Sequence, residues 1–350
     1  MAAPEAERTV LVTGGAGYIG SHVCKALAAA GYRPVTYDNL TEGHRWAVRW
    51  GPLERGNLAH TARIENAIRR YRPAAVIHLA GVIAAGESVS NPARYYEINV
   101  AGTLALLGVM RQQGVGRIVF SSSAAVYGEP HSTPITEDHP LAPVNPYGAG
   151  KLACERMIQD FSAAYGLRSI ALRYFNAAGA DPAGDIGEAH RVETHLVPLV
   201  LGAAVGERPH VSVYGTDYPT RDGTCVRDYI HVSDLAAAHV RAMEYVCEQP
   251  GAHVFNLGTG TGATVAEVIA TARRVTGRPI EVRNQPRRAG DPAVLVADAA
   301  RAKARLGWTP AHTDLEEIVS SAWRWHNREK LIMGAQRYHG TAQSGINVRA

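Results

Sequence analysis

Short apolar runs alternate with helix-spaced stretches along the first half of the chain. Thr9–Thr13, Pro34–Tyr37, Ala75–Leu79, Arg117–Ser121 and Ser169–Arg173 are brief, mostly apolar and rich in β-branched residues, and they predict buried strands. Between them Tyr18–Ala30, Ala62–Tyr71, Pro92–Gln113 and Pro146–Tyr165 carry apolar residues at helical spacing. Strand and helix alternating at this pitch predict an α/β fold, a doubly wound parallel (Rossmann) sheet covered by helices on both faces.

The rhythm breaks after Asn176. Gly- and Pro-rich loops, Gly179–Gly187 and Gly215–Gly223, surround a helix expected over Leu196–Gly206. A helix at Ser233–Tyr245, a strand at Val254–Leu257 and a helix at Val265–Thr276 follow. The division expected is therefore a nucleotide-binding domain over 1–176 and a smaller substrate-binding lobe over 177–333. Some elements of that lobe should return to the main sheet. A polar tail, 334–350, is expected to be poorly ordered.

Composition narrows the class without choosing a function. Hydrophobic residues at 46% and charged residues at 19% fit a globular protein rather than a disordered or membrane chain. No apolar run approaches the ~20 residues of a spanning helix, and the polar first residues lack a signal-peptide core. A net charge of +4, spread among acids, gives no basic run that would argue for nucleic acid. Cys24, Cys154, Cys225 and Cys247 have no CxxC spacing, so neither a disulfide frame nor a metal site is expected. These features predict a cytoplasmic protein.

Two constellations carry chemistry. In Val10–Gly20 an apolar strand runs into a turn with Gly14, Gly17 and Gly20, then a helix. Backbone without side chains can approach a pyrophosphate, and a helix N-terminus offers unpaired N–H groups to it. Gly-rich turns are common, but Asp38 closes the next strand 18 residues past Gly20. A carboxylate there accepts hydrogen bonds from an adenosine ribose and repels a 2′-phosphate, which favours NAD over NADP.

The second constellation is Tyr147 and Lys151, four residues apart in a predicted helix and so on one face. A phenol has a reference pKa of about 10. A neighbouring ammonium and a positive nicotinamide would favour the phenolate. The strand Ile118–Ser121 ends in the hydroxyl run Ser121-Ser122-Ser123, at the edge where a doubly wound sheet places its active site. Asn99 sits within a predicted helix and could face either the site or solvent.

Gly14–Gly20, Ser121–Ser123 and Tyr147-xxx-Lys151 together resemble the extended short-chain dehydrogenase/reductases. Within them the chain is similar to the UDP-galactose 4-epimerase family over roughly residues 8–330. Val12–His22, Ser121–Gly128, Leu172–Asn176, Arg227–Val232 and Arg287–Asp291 match in order. The resemblance implies Tyr147 as acid/base, Ser123 as its hydrogen-bonding partner, and Lys151 as a pKa-lowering residue that also binds nicotinamide ribose. It further implies NAD contacts at Tyr18, Ile19, Asp38, Asn39, Asn57, Leu58, Leu79, Ala80, Gly81, Asn99, Ser121, Tyr174 and Phe175. The UDP-sugar would be held by Asn176, His195, Leu196, Ser212, Val213, Tyr214, Arg227, Arg288, Asp291 and Leu295, besides Ser123 and Tyr147. A homodimer through the helices bearing Asn99 and Tyr147 is implied as well.

The chain also departs from the family pattern. Asn57 replaces an Asp common near adenine, Ile83 a Lys beside NAD, Ala125 a Thr, and His195 an Asn beside the nucleotide. A 4,6-dehydratase would need an Asp-Glu pair after the strand-end hydroxyls; Ala124 and Ala125 stand there and cannot transfer protons. A 4-epimerase of pentose, uronic-acid or N-acetylated sugars would share the chemistry, with Leu295 as the residue whose bulk meets a 2-substituent. A non-catalytic NAD-binding regulator would have no use for Ser123, Tyr147 and Lys151.

Overall fold

The structure is a computed structural model that describes residues 8–342 except residue 289, with side chains described through residue 328. The first half is built from β1 (Thr9–Thr13), α1 (Tyr18–Ala29), β2 (Arg33–Asp38), β3 (Leu53–Arg55), α2 (Thr61–Tyr71), β4 (Ala75–His78) and α3 (Ala85–Ser90). Next come α4 (Pro92–Tyr95), a π-helical stretch (Tyr96–Ala101), α5 (Gly102–Gln112), β5 (Arg117–Ser121), α6 (Pro146–Tyr165) and β6 (Arg168–Tyr174). The second half adds β7 (Asn176–Ala178), α7 (Leu196–Ala204), β8 (Val211–Tyr214), β9 (Val226–Arg227), β10 (Tyr229–His231), α8 (Val232–Glu248) and β11 (Ala252–Leu257). It ends with β12 (Ala263–Thr264), α9 (Val265–Thr276), β13 (Val282–Gln285), β14 (Val294–Leu295), α10 (Ala300–Leu306) and α11 (Leu315–Ala342).

The central sheet has seven strands in the order β11-β6-β5-β4-β1-β2-β3, all parallel. The order reverses between β1 and β4, the crevice position at which such sheets bind ligands. Alternate side chains feed two cores. Val10, Val12, Ile77, Val119 and Ile170 join the α1 and α8 side, while Leu11, Val76, Ile118 and Phe120 join the side of α2, α5 and α6. Burial on both faces is why these strands read as continuous apolar runs rather than alternating ones.

Local signals account for the ends of the main helices. Asn145 accepts a hydrogen bond from Gly148 N (2.9 Å) to cap α6, Pro146 occupies its first turn, and Gly166 leaves it at φ 70°. α9 starts with a reciprocal Thr264/Glu267 capping box and stops at Gly277, φ 66°.

The helix expected over Pro92–Gln113 is instead interrupted by the π-helical stretch, and the strand expected through Leu79 ends at His78. The second half holds more short strands than its sequence pattern shows. β7 pairs with β10, β8 with β13, and β9 with β12 and β14, giving three small sheets around an apolar lobe core that includes Val200, Val211, Val213, Ile269 and Ile318. β11 extends the central sheet beside β6. The expected polar tail begins inside α11, and its last residues, 343–350, lie outside the described residues. Among the described residues, no helix is long and apolar enough to cross a membrane.

Candidate active site

The turn after β1 is tight for steric reasons that can be named. Gly14 has φ +74°, and a Cβ there would lie 2.7 Å from Ala80 N; a Cβ at Gly20 would lie 2.1 Å from Gly14 O. Gly17 differs, since its Cβ would meet only Gly14 O at 3.4 Å. Gly14 and Gly20 are thus required by the turn itself, whereas Gly17 opens space above it. α1 starts at this point without a side-chain cap or an acid in its first turn, leaving its N-terminus electropositive. Asp38, buried at the end of β2, accepts from Ala16 N (3.0 Å) and Leu40 N (2.8 Å), and burial raises its carboxyl above the ordinary value. Its remaining lone pairs suit a ribose diol. Asn39, one residue on, is exposed and closes a small turn through Thr41 N (2.9 Å). This donor set and cradle fit NAD.

The far wall of the cradle is the segment Leu79–Gly81 after β4. Asn99 settles its own ambiguity by being buried. Its Oδ1 accepts from Val82 N and its Nδ2 donates to Val82 O, both at 2.9 Å. A Cβ on Gly81 would meet Asn99 Oδ1 at 2.8 Å, so this wall is held close. Ile19 packs on the α1-side core. Leu58 is buried in the opposite core, and the Asn57 carbonyl accepts from Tyr37 Oη (3.1 Å). Tyr18 commits its hydroxyl to Gly179 O (2.6 Å), so its side chain ties the two halves of the molecule rather than reaching a ligand.

The structure brings Ser123, Tyr147 and Lys151 together at the C-terminal end of β5. Ser123 is extended and caps a 3₁₀ turn, Ala124–Val126, by accepting from Ala125 N (3.2 Å). Tyr147 is half-buried and hydrogen-bonds Ser123. Burial raises its phenol above the usual value, against the pull of Ser123. Lys151 lies one turn further along α6. Its Nζ donates to Ser121 O (2.8 Å) and sits 5.8 Å from the Tyr147 ring centroid, while burial lowers its own pKa to about 8. Ser121 Oγ pairs with Tyr174 Oη at 2.8 Å.

Beneath this group lies a buried network that the sequence reading missed. Glu155, one turn beyond Lys151 on α6, accepts from Ser122 Oγ (2.5 Å) and from Arg173 Nε and Nη2 (2.9 and 2.6 Å). Arg173 also donates to Tyr127 Oη (3.1 Å). An acid four residues from Lys151 on one helix face was the available signal.

The second half lines the opposite side. Phe175 and Leu295 pack on the same small cluster of Ala124, Val126 and Tyr127, which puts both beside the 3₁₀ turn. Asn176 opens β7, which pairs with β10. Arg227 is buried; it binds Pro292 O (2.9 Å) and ion-pairs with Asp291, so it is not the solvated surface residue that an Arg in a polar loop usually is. Arg288 stacks over Tyr214, 3.7 Å from the ring centroid. Ser212 and Tyr214 are half-buried on β8, but Val213 points into the lobe core and only its backbone could meet a ligand. Leu196 packs against the same core.

His195, just before α7, belongs to a four-residue ion cluster. Its Nδ1 lies 2.5 Å from Glu188 Oε1, and His190 Nδ1 lies 3.1 Å from Glu188 and 3.5 Å from Glu193. The carboxylates raise His190 to about 9 and His195 to about 10 against the cost of burial. At neutral pH these rings are cations, and His195 brings its charge to the start of α7.

Residues 10–258 match the NAD dependent epimerase/dehydratase family. The chain is 52% identical over 319 residues to a UDP-glucose 4-epimerase of Rhizobium meliloti, covering 91% of this chain and 97% of the relative. Among solved structures it resembles the UDP-glucose 4-epimerase of Brucella ovis in complex with NAD, with a TM-score of 0.89 and 50% identity, covering 90% of this chain and 97% of that one. It also resembles the Bifidobacterium longum enzyme in complex with NAD+ and UDP, with a TM-score of 0.88 and 40% identity, covering 91% and 98%. The chain therefore belongs to the NAD dependent epimerase/dehydratase family.

Proposed function

We propose that the chain is a UDP-glucose 4-epimerase, interconverting UDP-glucose and UDP-galactose through a transient 4-keto sugar with NAD bound. The observation that carries this reading is the meeting of Ser123, Tyr147 and Lys151 at the end of β5, with alanines rather than acids at 124 and 125. The hydrogen on a sugar C4 is not acidic, so simple deprotonation there is implausible. When bound, NAD supplies the two-electron acceptor and donor that turns the C4 carbinol into a ketone and back. Tyr147 Oη takes the C4 hydroxyl proton and later returns it to the same oxygen; inversion follows when the ketone has turned so that hydride comes back to the other face of C4. Ser123 Oγ donates to the developing alkoxide, and the Lys151 ammonium lowers the cost of phenolate at Tyr147.

The cofactor residues of this reading are Gly14, Gly17, Tyr18 and Ile19 through their backbone, Gly20, Asp38, Asn39, Asn57, Leu58, Leu79–Gly81, Asn99, Ser121, Tyr174 and Phe175. Asn176, His195, Leu196, Ser212–Tyr214, Arg227, Arg288 and Asp291 would hold the UDP moiety while the sugar turns over. Guanidinium and imidazolium suit a diphosphate. Binding energy taken from the nucleotide lets the sugar stay loosely held. Leu295, beside Phe175, is the residue whose bulk would limit a 2-acetamido group.

The same reading divides the chain into a cofactor domain, 1–176, and a sugar-nucleotide lobe, 177–333, and makes it a cytoplasmic homodimer. The exposed apolar residues Val89 on α3, Tyr96 in the π-helical stretch and Leu104 on α5 support pairing through the helices around Asn99. The test of the function is incubation of purified protein with UDP-galactose and no added NAD. Formation of UDP-glucose is expected, and an unchanged sugar would contradict the reading. UDP-N-acetylglucosamine and UDP-xylose in parallel define the tolerance at Leu295.

A further inference from the structure

Glu155 and Arg173 form an ion pair at 2.6 Å with side chains only 2% and 4% exposed. Two charges so removed from water cost several kcal/mol in desolvation, and an apolar pair of similar volume often serves stability as well or better. Stability alone is thus a poor reason for the pair, and its placement supplies another. Glu155 follows Lys151 by one helical turn on α6 and takes a 2.5 Å hydrogen bond from Ser122 Oγ. Ser122 is the link between Ser121, whose carbonyl holds Lys151 Nζ at 2.8 Å, and Ser123, the partner of Tyr147. Arg173 reaches from β6 through Tyr127 Oη, and Tyr127 donates to Asn256 Oδ1 on β11 (2.6 Å). One carboxylate therefore joins the catalytic helix, the catalytic strand end and two neighbouring strands.

We infer that Glu155, held by Arg173, is a positioning residue that sets the Ser121–Ser123 strand end against α6 and keeps the Lys151 ammonium charged beside Tyr147. This inference rests on the epimerase reading above. The groups facing Lys151 are Tyr147, Cys154 and Glu155 on its own helix, the Ser121 carbonyl and Phe120 ring on β5, and His78 on β4, whose pKa burial lowers to about 3. Beyond Ser121 stand Tyr174 and His239. His78 and His239 are neutral above pH 5, since burial lowers His239 to about 4. Cys154 and Glu155 both pull Lys151 upward against burial, and burial itself raises the Cys154 thiol.

The test compares the purified holoprotein with its Glu155→Gln and Glu155→Gln/Arg173→Met variants. The double variant removes both charges, so it remains informative if the single variant, with Arg173 unpaired, fails to fold. The chain has four lysines, Lys25, Lys151, Lys303 and Lys330, so selective ¹³Cε labelling gives a resolved titration of Lys151. In Glu155→Gln the Lys151 midpoint should move to lower pH, and in both variants kcat for UDP-galactose should fall by about tenfold or more with KM within about threefold. The alkaline fall of kcat should begin earlier. An unmoved Lys151 midpoint in Glu155→Gln, or a kcat within about twofold of the parent in either folded variant, overturns the inference. The lysine titration needs no sugar, so its failure is distinguishable from absence of epimerase activity.

Discussion

Burial moves Tyr147 and Lys151 in opposite directions, the phenol up and the ammonium down to about 8, and both shifts favour the neutral forms. At neutral pH Lys151 is still mostly protonated, and that charge, with Ser123, favours the phenolate that the reaction needs. Tyr147→Phe removes the group assigned to take and return the proton while preserving the ring and its edge contact with Tyr95. Turnover should fall by about 10²–10⁴, the usual weight of positioned acid–base groups. NAD content, measured after denaturation, should hardly change. Near-normal turnover in a pure preparation of this variant would remove Tyr147 from the mechanism.

These residues were legible in the sequence because each chemical group is tied to a local signal: Tyr147 and Lys151 to a capped helix, Ser121–Ser123 to an apolar strand, Asp38 to the next strand end. Glu155 and Arg173 were not, because an acid one turn from a lysine ordinarily reads as an exposed helix pair, and nothing in the chain shows that its partner is a buried arginine on a strand. The upward shift of the Tyr147 phenol was equally invisible, since it depends on burial rather than on neighbours in the chain. Val213 shows the converse: a residue carried over by resemblance turns its side chain into a core, which leaves its backbone for any ligand contact.

At the scale of elements, the helix run from Pro92 to Gln112 owes its interruption to Asn99. The π-helical stretch brings Asn99 inward, where it satisfies both backbone groups of Val82 and closes the cofactor wall against Gly81. π-Bulges are costly and tend to occur at functional sites. Asn99→Ala should remove the partner of two part-buried backbone groups of Val82, at about 0.5–1.5 kcal/mol each. The expected outcome is a Tm lowered by several degrees together with faster NAD loss on dialysis. Unchanged cofactor retention would show that the wall does not depend on this side chain. The parallel strands and capped helices were readable because their signals are long or steric. β7–β10 and β12–β14 were mostly not, because strands of two to four residues are too short to show a period, and their pairing is set by the lobe core.

For the molecule as a whole, histidines set the pH dependence of stability. Burial lowers His22 and His239 to about 4, and His78 and His231 to about 3. In the unfolded chain these rings protonate near 6.5. Their contribution is therefore present above pH 6.5 and is lost as pH falls toward their folded values. The slope is about 1.4 kcal/mol per pH unit for each proton taken up on unfolding. His190 and His195 act oppositely. Their pKa values are raised to about 9 and 10, so their contribution is present below pH 6.5 and is lost as pH rises toward those values. Thermal unfolding should show a maximum of Tm between pH 6 and 8, falling on both sides. His190→Gln should flatten the alkaline side selectively, and an alkaline limb identical to that of the parent would mean that the cluster is not charged as described.

The central claim is that the C4 hydrogen leaves the sugar as hydride and returns to the same carbon on its other face. It is tested most directly with UDP-galactose carrying deuterium at C4, incubated in ordinary water without added NAD and followed by NMR to equilibrium. The account predicts UDP-glucose that keeps its deuterium at C4. Deuterium lost to solvent during conversion would contradict it.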